Sequence, residues 1–300
     1  MACARRIDAH QHFWAIARGD YGWLTPARKG LYRDFGPGDL EPLLERHGMD
    51  GTVLVQAAPT LAETRYLLEL AESQPKVLGV VGWVALDGTD ATDVIDELVR
   101  TPNLKGLRPM LQDLPSDSWI TDAPIGAALD RMVDHGLVFD ALVKPRHLGA
   151  LRQRLRQHPE LQVVIDHAAK PAIGGAGFES WRDDMAALAE MPQIHCKLSG
   201  LLTEAPPRAG VDALRPYAEV VLQCFGPERV LWGSDWPVLT LAARYGEWIS
   251  MTEQLLGTLS DNQRAAVMGE NAMRVYRLST SVGRELGCDD AAPKASDQLQ

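Results

Sequence analysis

Cysteine is scarce. Cys3, Cys196, Cys224 and Cys288 stand far apart with no C-x-x-C pair, which excludes a disulfide framework and a cysteine-built zinc cluster. The thiols are then expected to be reduced packing residues of a cytoplasmic protein. Cationic runs are missing too. The formal net charge is −10 at pH 7 and no dense Lys/Arg cluster offsets it, so neither nucleic acid nor an anionic membrane surface is expected as a partner. No stretch approaches the roughly 18 consecutive apolar residues of a membrane span, and no apolar leader-like run follows Arg5 and Arg6. Nor does a G-x-G-x-x-G follow the first apolar run, which removes the phosphate loop of a doubly wound nucleotide-binding sheet.

What remains is an ordinary globular composition, 46% hydrophobic and 23% charged over 300 residues, with a strongly alternating pattern. Val/Ile/Leu-rich runs predict strands at 6–10, 52–56, 77–84, 105–109, 138–143, 162–166, 194–198 and 230–233. Helical spacing fills the intervals at 40–47, after a possible cap at Asp39, and at 62–73, 91–99, 123–135, 148–157, 181–189, 211–224 and 247–256. Continuous apolar strands imply burial on both faces. Eight successive units of this kind predict a single α/β domain, a (β/α)8 TIM barrel over residues 1–278, with one extra C-terminal helix at 262–276. Residues 279–300 have little periodicity and are expected to be disordered.

Active sites of such barrels gather where strands end and βα loops begin. Here those places carry His10, His12 and Trp14 after strand one, Gln56 at the end of strand two, Trp83 after strand three and Arg108 after strand four. Lys144 follows strand five, Asp166, His167 and Lys170 strand six, Glu204 strand seven, and Asp235 and Trp236 strand eight. Alternation along "RIDAHQHFW" predicts that Asp8, His10 and His12 leave one face together. Two imidazoles on one face of a buried strand are costly without partners, which favours a site over packing. His47, His135 and His158 lie on or near helices and read as surface or capping residues. Asp166 and His167 are adjacent and should point to opposite sides, with His167 taken for the site. The glycines of "IGGAGF" give loop freedom more simply than a phosphate site, and Trp23, Trp119, Trp181 and Trp248 read as packing or rim aromatics.

The segments "DAHQHFW", "VGWVALD", "GLRPMLQD", "FDALVKPRHL", "VIDHAAKP", "KLSGLLTEA", "LWGSDWPV" and "GENAMRVYRL" together resemble the amidohydrolase superfamily, in its sugar-lactone hydrolase branch that includes the L-fuconolactonases. The resemblance runs from about residue 6 to 278. It implies hydrolysis of the lactone of a sugar acid, such as L-fucono-1,5-lactone, to the free acid. Strand five, "LVFDALV", lacks the histidine that completes the metal site of metal-dependent members, so no cofactor is expected to be required.

Opening a lactone needs an activated water, donors for the developing oxyanion and a proton for the leaving ring oxygen. Asp235 is the expected base and acid, with His10, His12, His167 and Arg108 polarising the carbonyl. Trp14, Trp83 and Trp236 are expected to face the sugar ring, and Gln56, Lys144, Lys170 and Glu204 to bond its hydroxyls. Two alternatives stay open. One is a metal-dependent barrel hydrolase or decarboxylase acting on another small carboxylate compound, with His10, His12 and Asp235 holding zinc or another divalent metal. The other is a non-catalytic sugar-acid binding protein. The sequence leaves the oligomeric state open.

Overall fold

The computed structural model describes residues 4–279. Eight parallel strands are hydrogen-bonded in chain order: β1 Ile7–Gln11, β2 Gly51–Val55, β3 Val77–Gly82, β4 Leu104–Leu107, β5 Val138–Ala141, β6 Val163–Ile165, β7 Ile194–Leu198 and β8 Val230–Trp232. The ring closes just beyond β8, where the Asp235 N–H donates to the His10 carbonyl and the His12 N–H to the Trp236 carbonyl, both at 2.8 Å. This is a (β/α)8 barrel, as the alternation of strand and helix predicts.

The helices are α1 Pro37–Arg46, α2 Leu61–Ser73, α3 Ala91–Leu98, α4 Trp119–Asp122, α5 Gly126–His135, α6 Leu148–Leu155, α7 Phe178–Ala189, α8 Val211–Phe225, α9 Tyr245–Leu255, α10 Asp261–Ala265 and α11 Asn271–Val275. Three differ from the sequence reading for identifiable reasons. First, α1 starts at Pro37, a favoured first helical residue, so Asp39 is not the cap but sits in the first turn, where its Oδ2 accepts the Gly36 N–H at 3.0 Å. Second, the segment at 123–135 is cut short because Pro124 forces Ala123 into an extended conformation, leaving α4 and α5 separate. Third, the helix expected at 262–276 is broken by a π turn over Ala266–Glu270. Gly269 lies against β1 there, and a Cβ on it would collide with the Arg5 carbonyl.

Neighbouring strand residues join different apolar clusters, Val138 one and Phe139 the other, Val164 one and Ile165 the other. The larger cluster fills the layer between strands and helices. The smaller, with Val53, Val55, Val81, Val138, Val164 and Leu231, is joined by Val275, Tyr276 and Leu278, so the chain after α10 caps one end of the barrel. Cys196 is buried and Cys224 half-buried, both as free thiols. Among the described residues no helix is long and apolar enough to cross a membrane. The expected disordered tail lies, from residue 280 onward, outside the described residues, as do Cys3 and Cys288.

Candidate active site

The polar centre assembles where strand geometry is interrupted. On β1 the pairing register with β2 shifts between Asp8 and Gln11, and a shift of this kind breaks the simple alternation of faces. Asp8 therefore does not join His10 and His12. Its carboxylate accepts from the Ser234 N–H at 2.8 Å, the Ser234 hydroxyl at 2.6 Å and the Tyr245 hydroxyl at 3.0 Å, fastening the loop before Asp235 to β1 and α9. Burial pushes this carboxyl up to about 6.

After β6 the chain turns left-handed: His167, Ala168, Ala169 and Lys170 all have φ between 49° and 62°. This turn overturns the expectation that Asp166 and His167 face opposite ways. Asp166 reaches His10 Nδ1 at 3.3 Å and Arg108 at 3.1 Å, while His167 Nε2 lies 3.8 Å from Asp235 Oδ1. The other nitrogen of His167 meets the Ser199 hydroxyl at 2.9 Å. Asp235 is itself left-handed, with φ 59°, and so leaves the line of β8 to aim back at the imidazoles.

His10, His12, His167, Arg108 and Asp235 thus converge, each no more than 4% exposed. Asp235 Oδ1 lies 3.3 Å from His12 Nε2 and 3.8 Å from His10 Nε2. Burial alone would raise Asp235, but the His167, His12 and His10 rings outweigh it and hold the carboxyl well below the usual carboxylate range. Burial pushes His167 down to about 4 and His10 well below an ordinary imidazole. At neutral pH the centre is an ionised carboxylate among neutral His10 and His167, with the Arg108 cation beside them.

A divalent ion fits part of this group. His10 Nε2, His12 Nε2 and Asp235 Oδ1 are 3.2, 3.3 and 3.8 Å apart, and a tetrahedral zinc with Zn–N near 2.0–2.1 Å separates its ligand atoms by about 3.3 Å. A second grouping of His10, Asp166 and His167 has Asp166 engaged by Arg108 and Lys197 already.

The residues expected around a sugar ring are less closely gathered. Gln56 braces Arg108, its side-chain amide N–H donating to the Arg108 backbone carbonyl at 2.8 Å and its backbone carbonyl accepting from the guanidinium. Trp14 is 1% exposed, enclosed by Tyr21, Trp23 and Phe35, with its N–H on the Arg33 carbonyl. Trp236 packs edge-on against Phe13 and Phe35. Both rings back the site as part of the core. Trp83 is half-buried and held through its backbone to the Thr64 hydroxyl. Lys170 lies 3.8 Å from Glu204. With Lys144 it lines a cavity of about 280 Å³ beside Phe178, Trp181 and Tyr217, whose wall includes none of the central histidines or Asp235. His135 and His158 pair with Asp96 and Asp130 near the surface, while His47 packs against Tyr245.

Lys197, Asp140 and Tyr276 escape the sequence reading. Lys197 on β7 is fully buried and bonds Asp140, Asp166 and His10. A lysine two residues from Ser199 in the run "IHCKLS" is the signal that marks it, since both leave the same face.

Comparison with known proteins agrees with this geometry. A 282-residue stretch, 93% of this chain, is 49% identical to an L-fucono-1,5-lactonase of Burkholderia ambifaria, covering 97% of that protein. An L-fucono-1,5-lactonase of Burkholderia multivorans is 36% identical across 92% of this chain and 97% of its own length. A crystal structure of an amidohydrolase from Burkholderia multivorans with bound zinc superposes with a TM-score of 0.86 at 36% identity, over 92% of this chain and all of that one. The amidohydrolase family model matches residues 7–278, and with that match along nearly its whole length the chain belongs to the amidohydrolase family.

Proposed function

We propose that this enzyme hydrolyses the lactone of a six-carbon sugar or deoxysugar acid, with L-fucono-1,5-lactone as the leading substrate, to the open acid. The substrate rests on the 49% identity to an L-fucono-1,5-lactonase across almost all of both chains. The mechanism rests on one observation, a buried carboxylate oxygen of Asp235 within 3.8 Å of three imidazoles. Asp235 accepts a proton from water as its oxygen attacks the lactone carbonyl. Arg108 and the imidazole N–H groups meet the negative charge that develops on the carbonyl oxygen. When the carbonyl re-forms, the ring C–O bond breaks and Asp235 returns its proton to the departing oxygen, which leaves as a hydroxyl. A cytoplasmic setting fits the scattered free cysteines.

A second reading is supported by the zinc in the Burkholderia multivorans structure. His10, His12 and Asp235 would hold the ion, and when bound it would polarise the carbonyl. Proton release over a panel of aldonolactones, with and without chelator, separates the readings. Catalysed opening of an aldonolactone that survives complete removal of metal is expected. Activity that tracks zinc stoichiometry would transfer the mechanism to the second reading, and turnover of an aromatic acid or amide with no lactone opened would overturn the function.

A further inference from the structure

The cavity between the loops after β5 and β6 is built unlike the catalytic centre beside it. It holds about 280 Å³, near the lower end of small-ligand sites at about 300–1,000 Å³. Its floor is aromatic. Phe178, Trp181 and Tyr217 meet pairwise, with ring centroids 5.0–5.8 Å apart. The polar atoms of that floor are already used: the Trp181 indole N–H donates to the Ala168 carbonyl at 2.8 Å, and the Tyr217 hydroxyl donates to the Ala172 carbonyl at 3.2 Å and accepts the Gly174 N–H at 3.0 Å. The floor is therefore apolar and fixed.

Its rim is cationic. Among the described residues Lys144, Arg146 and Lys170 line it and no carboxylate does. Arg146 is spent on Asp117 at 2.7 Å and on the Gln112 carbonyl, while Lys170 stands 3.8 Å from Glu204, beyond hydrogen-bond reach. Lys144 engages through its backbone N–H, on His147 Nδ1 at 3.0 Å, and its ammonium pairs with no carboxylate among the described residues. Burial raises the Glu204 carboxyl, Lys170 and Lys144 pull it down, and Asp235 adds to the rise. Glu204 thus stands between the two lysines and the catalytic carboxylate, one acid shared by two cations. In a chain of net charge −10, an under-neutralised cationic rim over an apolar floor selects an anion with an apolar side. A neutral lactone gains little there. The opened acid brings a carboxylate for the lysines and a C–H edge for the rings.

We propose that this cavity is a second binding site, beside the catalytic centre, for a small organic carboxylate, the ring-opened sugar acid. Lys144 and Lys170 hold its carboxylate and the aromatic floor takes its C–H side, so the site favours the product of ring opening over the neutral lactone. The identity of the acid rests on the lactonase reading, but its binding is measurable without turnover. The full-length enzyme is titrated with L-fuconate while the indole 15N–H signal of Trp181, assigned with Trp181→Phe, is followed by NMR. A saturable shift is expected with L-fuconate and none with the neutral sugar L-fucose. Lys144→Met and Lys170→Met should each raise the Kd for L-fuconate by about 10-fold, the loss of one charge-assisted hydrogen bond. No shift with L-fuconate, a Kd equal in the parent and both variants, or acetate binding as tightly as L-fuconate overturns the proposal. An enzyme that opens no aldonolactone yet binds L-fuconate through both lysines upholds the cavity as a sugar-acid site and defeats the lactonase reading alone.

Discussion

Asp235 suits the role of base in the proposed reaction because its surroundings keep it charged where an isolated buried carboxyl would be neutral. The His167, His12 and His10 rings hold it below the usual range despite burial, so at neutral pH it is ionised and has its acceptor oxygens free of a proton. Asp235→Asn preserves shape and removes the acceptor. The loss should fall on kcat, by about 10²–10⁴-fold with KM nearly unchanged, in steady-state proton release on the preferred lactone; a variant as fast as the parent would refute the assignment. His10, His12, His167, Arg108 and Asp235 were legible in the sequence because each is a polar residue at the end of an apolar run, and the barrel gathers strand ends. The tryptophans expected to face the sugar were less so: position alone cannot tell a rim aromatic from one that closes the core, and Trp14, with its N–H already used by Arg33, is the second kind. Lys197 stayed hidden because its carboxylates come from β5 and β6, and sequence spacing does not pair residues 57 and 31 positions apart.

At the scale of elements, the strands order the site and the irregular backbone after them aims it. The pairing pattern of β1, the left-handed run from His167 to Lys170 and the left-handed Asp235 each turn a side chain off the direction that alternation assigns. This is why the eight strands could be read from periodicity while the directions of Asp8 and Asp166 could not. Gly200, just past β7, tests the point. Its φ is +64°, and a Cβ there would stand 2.6 Å from His167 Nδ1, adding left-handed strain of about 1–2 kcal/mol and pushing the imidazole away from Asp235. Gly200→Ala should keep its far-ultraviolet circular dichroism and lose kcat by on the order of 10²-fold, the scale of a misplacement near 1 Å. Gly210→Ala, where a Cβ meets nothing within 4 Å, should match the parent. Equal activity in the two variants would show that His167 tolerates displacement.

Taken whole, the molecule is charged inside as well as out, and its stability must depend on pH through buried groups both within the site and away from it. The residues after α10 close one end of the barrel, and Tyr276 reaches from there to Asp140. Near the same region His195 on β7 is 7% exposed, and burial, with Arg274 and Arg229 nearby, pushes it down to about 4. Between the unfolded value near 6.5 and about 4, the unfolded chain binds a proton that the folded chain refuses. The stabilisation is therefore complete above pH 6.5 and is lost as pH falls toward 4, about 3 kcal/mol in all. His167 acts with the same sign. Burial pushes Asp8 to about 6 and Glu63 to about 7, and these act oppositely, since their ionised forms are the ones burial disfavours and their cost lifts as pH falls. The total curve mixes both signs, so a difference isolates one group. His195→Gln has no proton to refuse, and its unfolding free energy in urea should fall between pH 7 and pH 4 by about 3 kcal/mol less than the parent's. Parallel pH curves for parent and variant would mean that His195 titrates normally in the folded barrel.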